Sequence, residues 1–175
     1  MNDIDSSNPE NLDGILFKHV GLLLLHPFLK HFLKKLNLLT PEGQLTKPEY
    51  TAHLFHYIIT GNTQQPESEM CFEKYLCNLP LEAPINSFIT IDADHIEEVA
   101  HLFDAVKKNW SAMKKSSINL LRNEFLQRPG KLLHTSESIK IIVERKSFDV
   151  LMEKMDWGIG LIKLPWHTSF IYVTW

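Results

Sequence analysis

Apolar residues recur with a helical period along most of this chain and switch to a strand period near its end. After Pro27, Phe28, Leu29, Phe32, Leu33 and Leu36 fall at i, i+1, i+4, i+5 and i+8, with Lys30, Lys34 and Lys35 on the opposite side. That spacing predicts an amphipathic helix with one face in the core. The run at residues 21–25 (GLLLL) has no polar face and is expected to be buried, whether helical or extended. Thr40, Pro41 and Gly43 then break the chain. A second helix is punctuated at both ends: Thr46 and Glu49 read as a capping box, Pro48 sits in the first turn, and Gly61 supplies a left-handed stop. Its stripe is Tyr50, Leu54, Tyr57 and Ile58.

A third helix is expected over residues 67–78, stopped by Pro80. A fourth starts at Asp94 with Glu97 as its capping partner, and Ile96, Val99, Ala100, Phe103 and Val106 line its inner face. Its acids lie at the start and Lys107 and Lys108 at the end, each matching the helix dipole. A fifth runs over residues 117–127, with Ile118, Leu121 and Phe125 inward, and Pro129-Gly130 ends it. The period then changes. Ile139, Ile141 and Val143 alternate with Lys140, Ile142 and Glu144, a strand pattern with one wetter face. Ser147 can cap a short helix carrying Phe148, Leu151, Met152 and Met155, and residues 159–164 and 170–175 read as two more strands. The expected class is α+β: about five helices followed by a small mixed C-terminal sheet with one short helix inserted. Residues 1–13, with four acids and no base, read as a flexible acidic tail, and residues 14–175 as a single globular domain.

Composition narrows the class. At 175 residues with 44% apolar content, the chain can bury a substantial core. The polar N-terminus has no signal-peptide h-region, and the apolar run after Val20 is cut by His26 and Pro27, far too short to span a bilayer. Cys71 and Cys77, six apart on a predicted helix, point to different faces and read as reduced thiols of a cytoplasmic protein.

The net charge of -3 hides a segregation. Residues 107–131 hold Lys107, Lys108, Lys114, Lys115, Arg122, Arg128 and Lys131, with Glu124 the one acid. A nucleic-acid surface would call for a basic overall balance, which this chain lacks. A solvated helix face is the plain alternative, and a patch complementary to a protein neighbour is the third.

Reactive chemistry is sparse. His53 and His56 stand at i and i+3 and could share a metal, but no third ligand is indicated by spacing. His26 and His31 face apart, and His95 and His101 flank Glu97 and Glu98 on what reads as a solvated helix face. No nucleophile elbow or glycine-rich phosphate loop is present, and His134 and Ser136 fall in a predicted hairpin loop. The expectation is no metal, no cofactor, no small-molecule substrate and no catalysis. Trp157, beside Gly158 in a turn, reads as core. Trp166 and Trp175 divide between core and an aromatic anchor for a partner, because a strand that ends the chain can lie at a sheet edge.

Five phrases occur in a specific order: GLLLLHPFLKHFLKKLNLL, HLFHYIITGN, FEKYLCNLPLEAPI, LRNEFLQRPGKL, and IKIIVERKSFDVLMEKM leading into DWGIGLIKLPW. In that order, over roughly residues 18–175, the chain resembles the C-terminal region of the tape measure protein family of contractile injection systems, the phage-tail-like particles of bacteria. The resemblance implies a particle component, and for the family a role in setting inner-tube length. It carries over no catalytic residue, since the phrases read as helix stops, core faces and turns. The ruler role is not expected to carry over either. Even as one helix, 175 residues would reach only about 260 Å, and the capped helices predict a compact body with a radius of gyration of about 16 Å.

The resulting expectation is a non-enzymatic structural or assembly component, cytoplasmic and assembled into or alongside the particle. It would dock to a tube, baseplate or tape measure protein through Trp166, Trp175, Lys107, Lys108, Lys114 and Lys115. A soluble assembly factor or chaperone, and a small enzyme of unrecognised type, are the alternatives. Nucleic acid and membrane insertion are not expected.

Overall fold

Val20–Leu25, buried along its whole length, runs through the centre of the molecule as a 3-10 helix, as its lack of a polar face requires. The computed structural model describes residues 14–64, 66–135 and 138–175. The acidic tail read at residues 1–13 lies outside the described residues, as does Ser136. Gly21 lets this segment lie against the backbone of the fourth phrase, since a Cβ there would stand 1.8 Å from the Phe125 carbonyl oxygen.

Around this axis the chain forms β1 (Ile15–Phe17), α1 (His26–Lys35), α2 (Pro48–Thr60), α3 (Cys71–Leu76), α4 (Ala93–Lys108) and α5 (Ile118–Leu121). There follow β2 (Gly130–His134), β3 (Ile139–Val143), a 3-10 helix at Ser147–Lys154, β4 (Leu161–Ile162) and β5 (Ile171–Thr174). The architecture is α+β, and the sheet is mixed: its order is β1-β2-β3-β5-β4, with β3 and β5 parallel and the other pairs antiparallel. One contiguous cluster of buried apolar residues joins the 3-10 axis, the helices and the inner face of the sheet.

The stripes of the first and fourth helices hold in the main, although Ala100 is exposed. The stripe of the Ser147 helix does not, since Phe148 is exposed and no residue of that helix is buried. Leu29, Phe32 and Leu33 of α1 are buried, as are Val99, Phe103 and Val106 of α4. Gly61 ends α2 at φ +77°. The expected capping boxes do not form: α2 starts after Lys47, Thr46 Oγ1 donates to the Asn37 carbonyl, and α4 starts after Asp92 with no side-chain cap. The third helix is shorter than expected, a 3-10 turn at Glu67–Glu69 followed by α3. The fifth is capped by Ser117, whose Oγ accepts the Leu120 N–H at 3.1 Å, but after Leu121 it widens into a π-helical turn at Arg122–Leu126. From that turn Arg122 donates to the carbonyls of Ile58 and Tyr57 at 3.0 and 3.1 Å, and Gln127 to that of Ile59 at 3.3 Å. These side chains serve the end of α2, where the Ile58 and Ile59 carbonyls lie past the last helical donor, while the Tyr57 carbonyl also accepts the Gly61 N–H at 2.8 Å.

Two strands escaped the periodicity. β1 is three residues long and borders a tract with no alternation, and β2 carries adjacent Leu132 and Leu133, which hide its period of two. The strand that ends the chain is also placed differently from the expectation. β5 lies between β3 and β4 and is an interior strand, with β4 pairing to Ile171 and Tyr172.

Candidate functional site

Trp166, expected as a possible anchor, is 2% exposed and serves the core. Its indole N–H donates to the Leu76 carbonyl at 2.8 Å. Trp175 is half-buried, with its ring under the Arg128 guanidinium at 5.2 Å and its Nε1 enclosed. In β5 the alternation turns Tyr172 and Thr174 outward, while Ile171 and Val173 pack inward. The basic stretch divides in the same way. Arg128 is fully buried, bonded to Asp149 Oδ1 at 2.7 Å and to the Glu144 carbonyl, while Arg122 is committed to α2. Lys107 is half-buried and donates to the Ser116 carbonyl. Lys108, Lys114, Lys115 and Lys131 remain exposed.

The outer face of the sheet carries a surface that the sequence reading missed. Register places Leu16, Lys131, Ile142 and Thr174 in one row and Leu133, Lys140, Tyr172 and Leu161 in the next. Leu16 is 77% exposed, and Ile142, Tyr172 and Leu161 are exposed beside it. Those two rows hold two lysines and no acid. Leu16, Gly130, Ile142 and Pro129 also line a shallow depression of about 540 Å³, together with Lys18, Lys131 and the one acid Glu144. A face that is apolar and basic together is suited to an apolar partner surface rimmed by carboxylates.

A second constellation lies inside. His53 and His56 do not converge: His53 Nε2 meets the Asn86 carbonyl at 2.8 Å, whereas His56 turns its Nδ1 to Glu73 Oε1 at 2.7 Å. His19, at the head of the 3-10 axis, brings its own Nδ1 to the same oxygen at 2.9 Å. The exposures of His19, His56 and Glu73 are 7%, 2% and 0%, and donor atoms of the three lie within 4.8 Å of one another. Burial by itself raises the Glu73 pKa, but the hydrogen bonds from His19 and His56, with their charge, outweigh it and hold the carboxyl below its ordinary range. Spacing could not reveal this group, because its members come from three segments and Glu73 stands next to Lys74 like any solvated charge pair.

Other titratable groups are accounted for by packing. Cys77 is buried and its thiol is pushed well up, first by burial and then by Glu73, which removes the thiolate a nucleophile needs. Tyr75 is pushed up to about 12 by burial among Phe17, Phe72 and His167. His95 is hydrogen-bonded to Tyr50 at 2.6 Å, and His26 to the Gly158 carbonyl at 2.9 Å. Among the described residues no helix is long and apolar enough to cross a membrane.

Neither the curated proteins nor the solved structures contain a match to the chain. The family described as contractile injection system tape measure protein matches it over residues 2–175. A match of that extent covers the 3-10 axis, the buried triad and the whole sheet, and the chain belongs to the contractile injection system tape measure protein family.

Proposed function

We propose that this component of a contractile injection system works without catalysis, as a folded body that docks onto another particle protein through the outer face of its sheet. The observation that carries the reading is the pairing of exposed Leu16, Ile142, Tyr172 and Leu161 with Lys131 and Lys140 on one face. Burying four such side chains gives an interface its driving force, and the lysines select an acidic rim. The partner is therefore a particle protein presenting carboxylates around an apolar centre. Lys108, Lys114 and Lys115, exposed elsewhere on the chain, steer the encounter, and Trp175 contributes by supporting the inner side of β5.

A folded docking body also accounts for the topology better than a ruler does. β1 pairs with β2 across more than a hundred residues of sequence, so the described chain folds back on itself and does not extend along a tube. The test is quantitative mass spectrometry on purified particles. A constant copy ratio of this chain to the tube protein is expected. Its absence from particles that still assemble only when it is expressed would overturn the docking role in favour of an assembly factor.

A further inference from the structure

Among the described residues, Glu73 Oε2 and His56 Nε2 are enclosed in the interior and have no hydrogen-bond partner. A buried polar atom left unpaired is costly, and an ionised carboxylate oxygen especially so, because nothing replaces the water it has lost. His56 Nε2 lacks a partner in either tautomer, so the Glu73 carboxylate is the atom group that asks for an additional ligand. From this geometry we propose that His19, His56 and Glu73 form a binding site for a divalent transition metal of the zinc class.

The donor chemistry fits that class. Two imidazole nitrogens and one carboxylate oxygen suit zinc, cobalt or nickel, whereas calcium and magnesium call for a cage of oxygens that this interior does not supply. The charge fits as well. An ionised Glu73 carries its negative charge into the interior, and a dication would offset it. Glu69, which also feels both imidazoles, is bound to Lys18 at 2.7 Å.

As the side chains stand, both Nδ1 atoms lie against one Glu73 oxygen, at 2.9 and 2.7 Å. Ligand atoms about 2.0–2.1 Å from a tetrahedral ion stand roughly 3.3 Å apart, so the two nitrogen–oxygen pairs, now at 2.9 and 2.7 Å, would open by about half an ångström. To ligate, each imidazole presents its Nδ1 lone pair with a single proton on Nε2, any further proton passing to solvent, while the carboxylate engages its idle oxygen and water completes the coordination. His19, whose side chain is the most exposed of the three at 9%, marks the way in. Ligation would pin the start of the 3-10 axis to α2 and α3, three segments otherwise joined here by hydrogen bonds. The site departs from the expectation of no metal, which weighed His53 with His56 and could not place His19 or Glu73 beside them. It stands on residues apart from the sheet face, so its failure leaves the docking reading untouched.

The test uses the full chain without an affinity tag, stripped with a chelator and titrated with cobalt(II) and then zinc. One equivalent of cobalt with the strong visible bands of a four- or five-coordinate ion is expected, bleached by zinc and accompanied by a rise in Tm. Glu73→Gln and His56→Gln should weaken binding by roughly 100-fold, and His101→Gln should not change it. Should those variants fail to fold, X-ray absorption on the zinc-loaded wild type decides, with two imidazoles and a carboxylate in the coordination sphere as the expected result. Cobalt that keeps its weak aqua spectrum, binding abolished by His101→Gln, or a sphere without two imidazoles would overturn the site.

Discussion

Trp166 donates its indole N–H to the carbonyl of Leu76, 90 residues earlier in the chain, at 2.8 Å within the core. The contact is reciprocated two residues on, where Asn78, at φ 59°, donates its side-chain amide to the Trp166 carbonyl at 2.7 Å. The end of α3 and the connection between β4 and β5 are thereby locked together. This explains why the indole of the LPW phrase is a structural group. Trp166→Ala should lose the packing and leave the Leu76 carbonyl unpaired, a destabilisation of about 3–5 kcal/mol. Urea unfolding measures it, and a loss below about 1 kcal/mol would remove the Trp166–Leu76 contact from the account.

Acid should unfold this protein partly through Glu73. Its folded pKa is depressed relative to the ordinary 4.5, so its contribution is fully present above that value and is lost as pH falls through the lower folded one. Glu73→Gln should flatten the stability profile below about pH 4.5 and cost about 3–5 kcal/mol at neutral pH, since two buried imidazoles lose their charged acceptor. Residual acid sensitivity from Glu69 with Lys18 and Glu98 with Lys35 should persist in the variant. Chemical denaturation across pH gives both quantities. An unchanged slope would mean that the carboxylate is not held ionised by the histidines.

Gly21→Ala should destabilise by more than about 2 kcal/mol, because its Cβ meets backbone at 1.8 Å and the π-helical turn cannot yield without releasing Arg122 from α2. Circular dichroism during thermal unfolding would record the lower midpoint. A stable alanine variant would show that the axis and the turn are less tightly seated.

The main elements were legible where one segment decides its own structure. The stripe of Phe28, Leu29, Phe32 and Leu33 marked α1, Gly61 marked the end of α2, and Ile139, Ile141 and Val143 marked β3. The site was not legible, for a physical reason. Glu73 and Lys74 are adjacent charges, yet both are buried, one held by His19 and His56 and the other by the carbonyls of Leu81 and Ala83. Whether a charge can be buried depends on partners that only the tertiary fold supplies. The apolar outer face was hidden likewise, because Leu16, Ile142 and Tyr172 come from three strands and meet only through the register. Arg122 and Arg128 looked like surface charge for the same reason.

Lengthening the segment at residues 1–13 with inserted sequence should leave tail length unchanged if this chain docks as a folded body. Electron micrographs of the particles give the length distribution directly. Tails that grow in proportion to the insert would restore a ruler role to the chain.

If the outer sheet face holds this protein in the particle, the Ile142→Glu/Tyr172→Glu double variant should fail to be incorporated. Both side chains are exposed, so circular dichroism and the unfolding midpoint should match the wild type. The new carboxylates should repel an acidic rim and remove two apolar contacts, lowering the amount in purified particles by about tenfold or more. Lys34→Glu, exposed on α1, should enter normally. A folded double variant present in particles at the wild-type level would contradict the account.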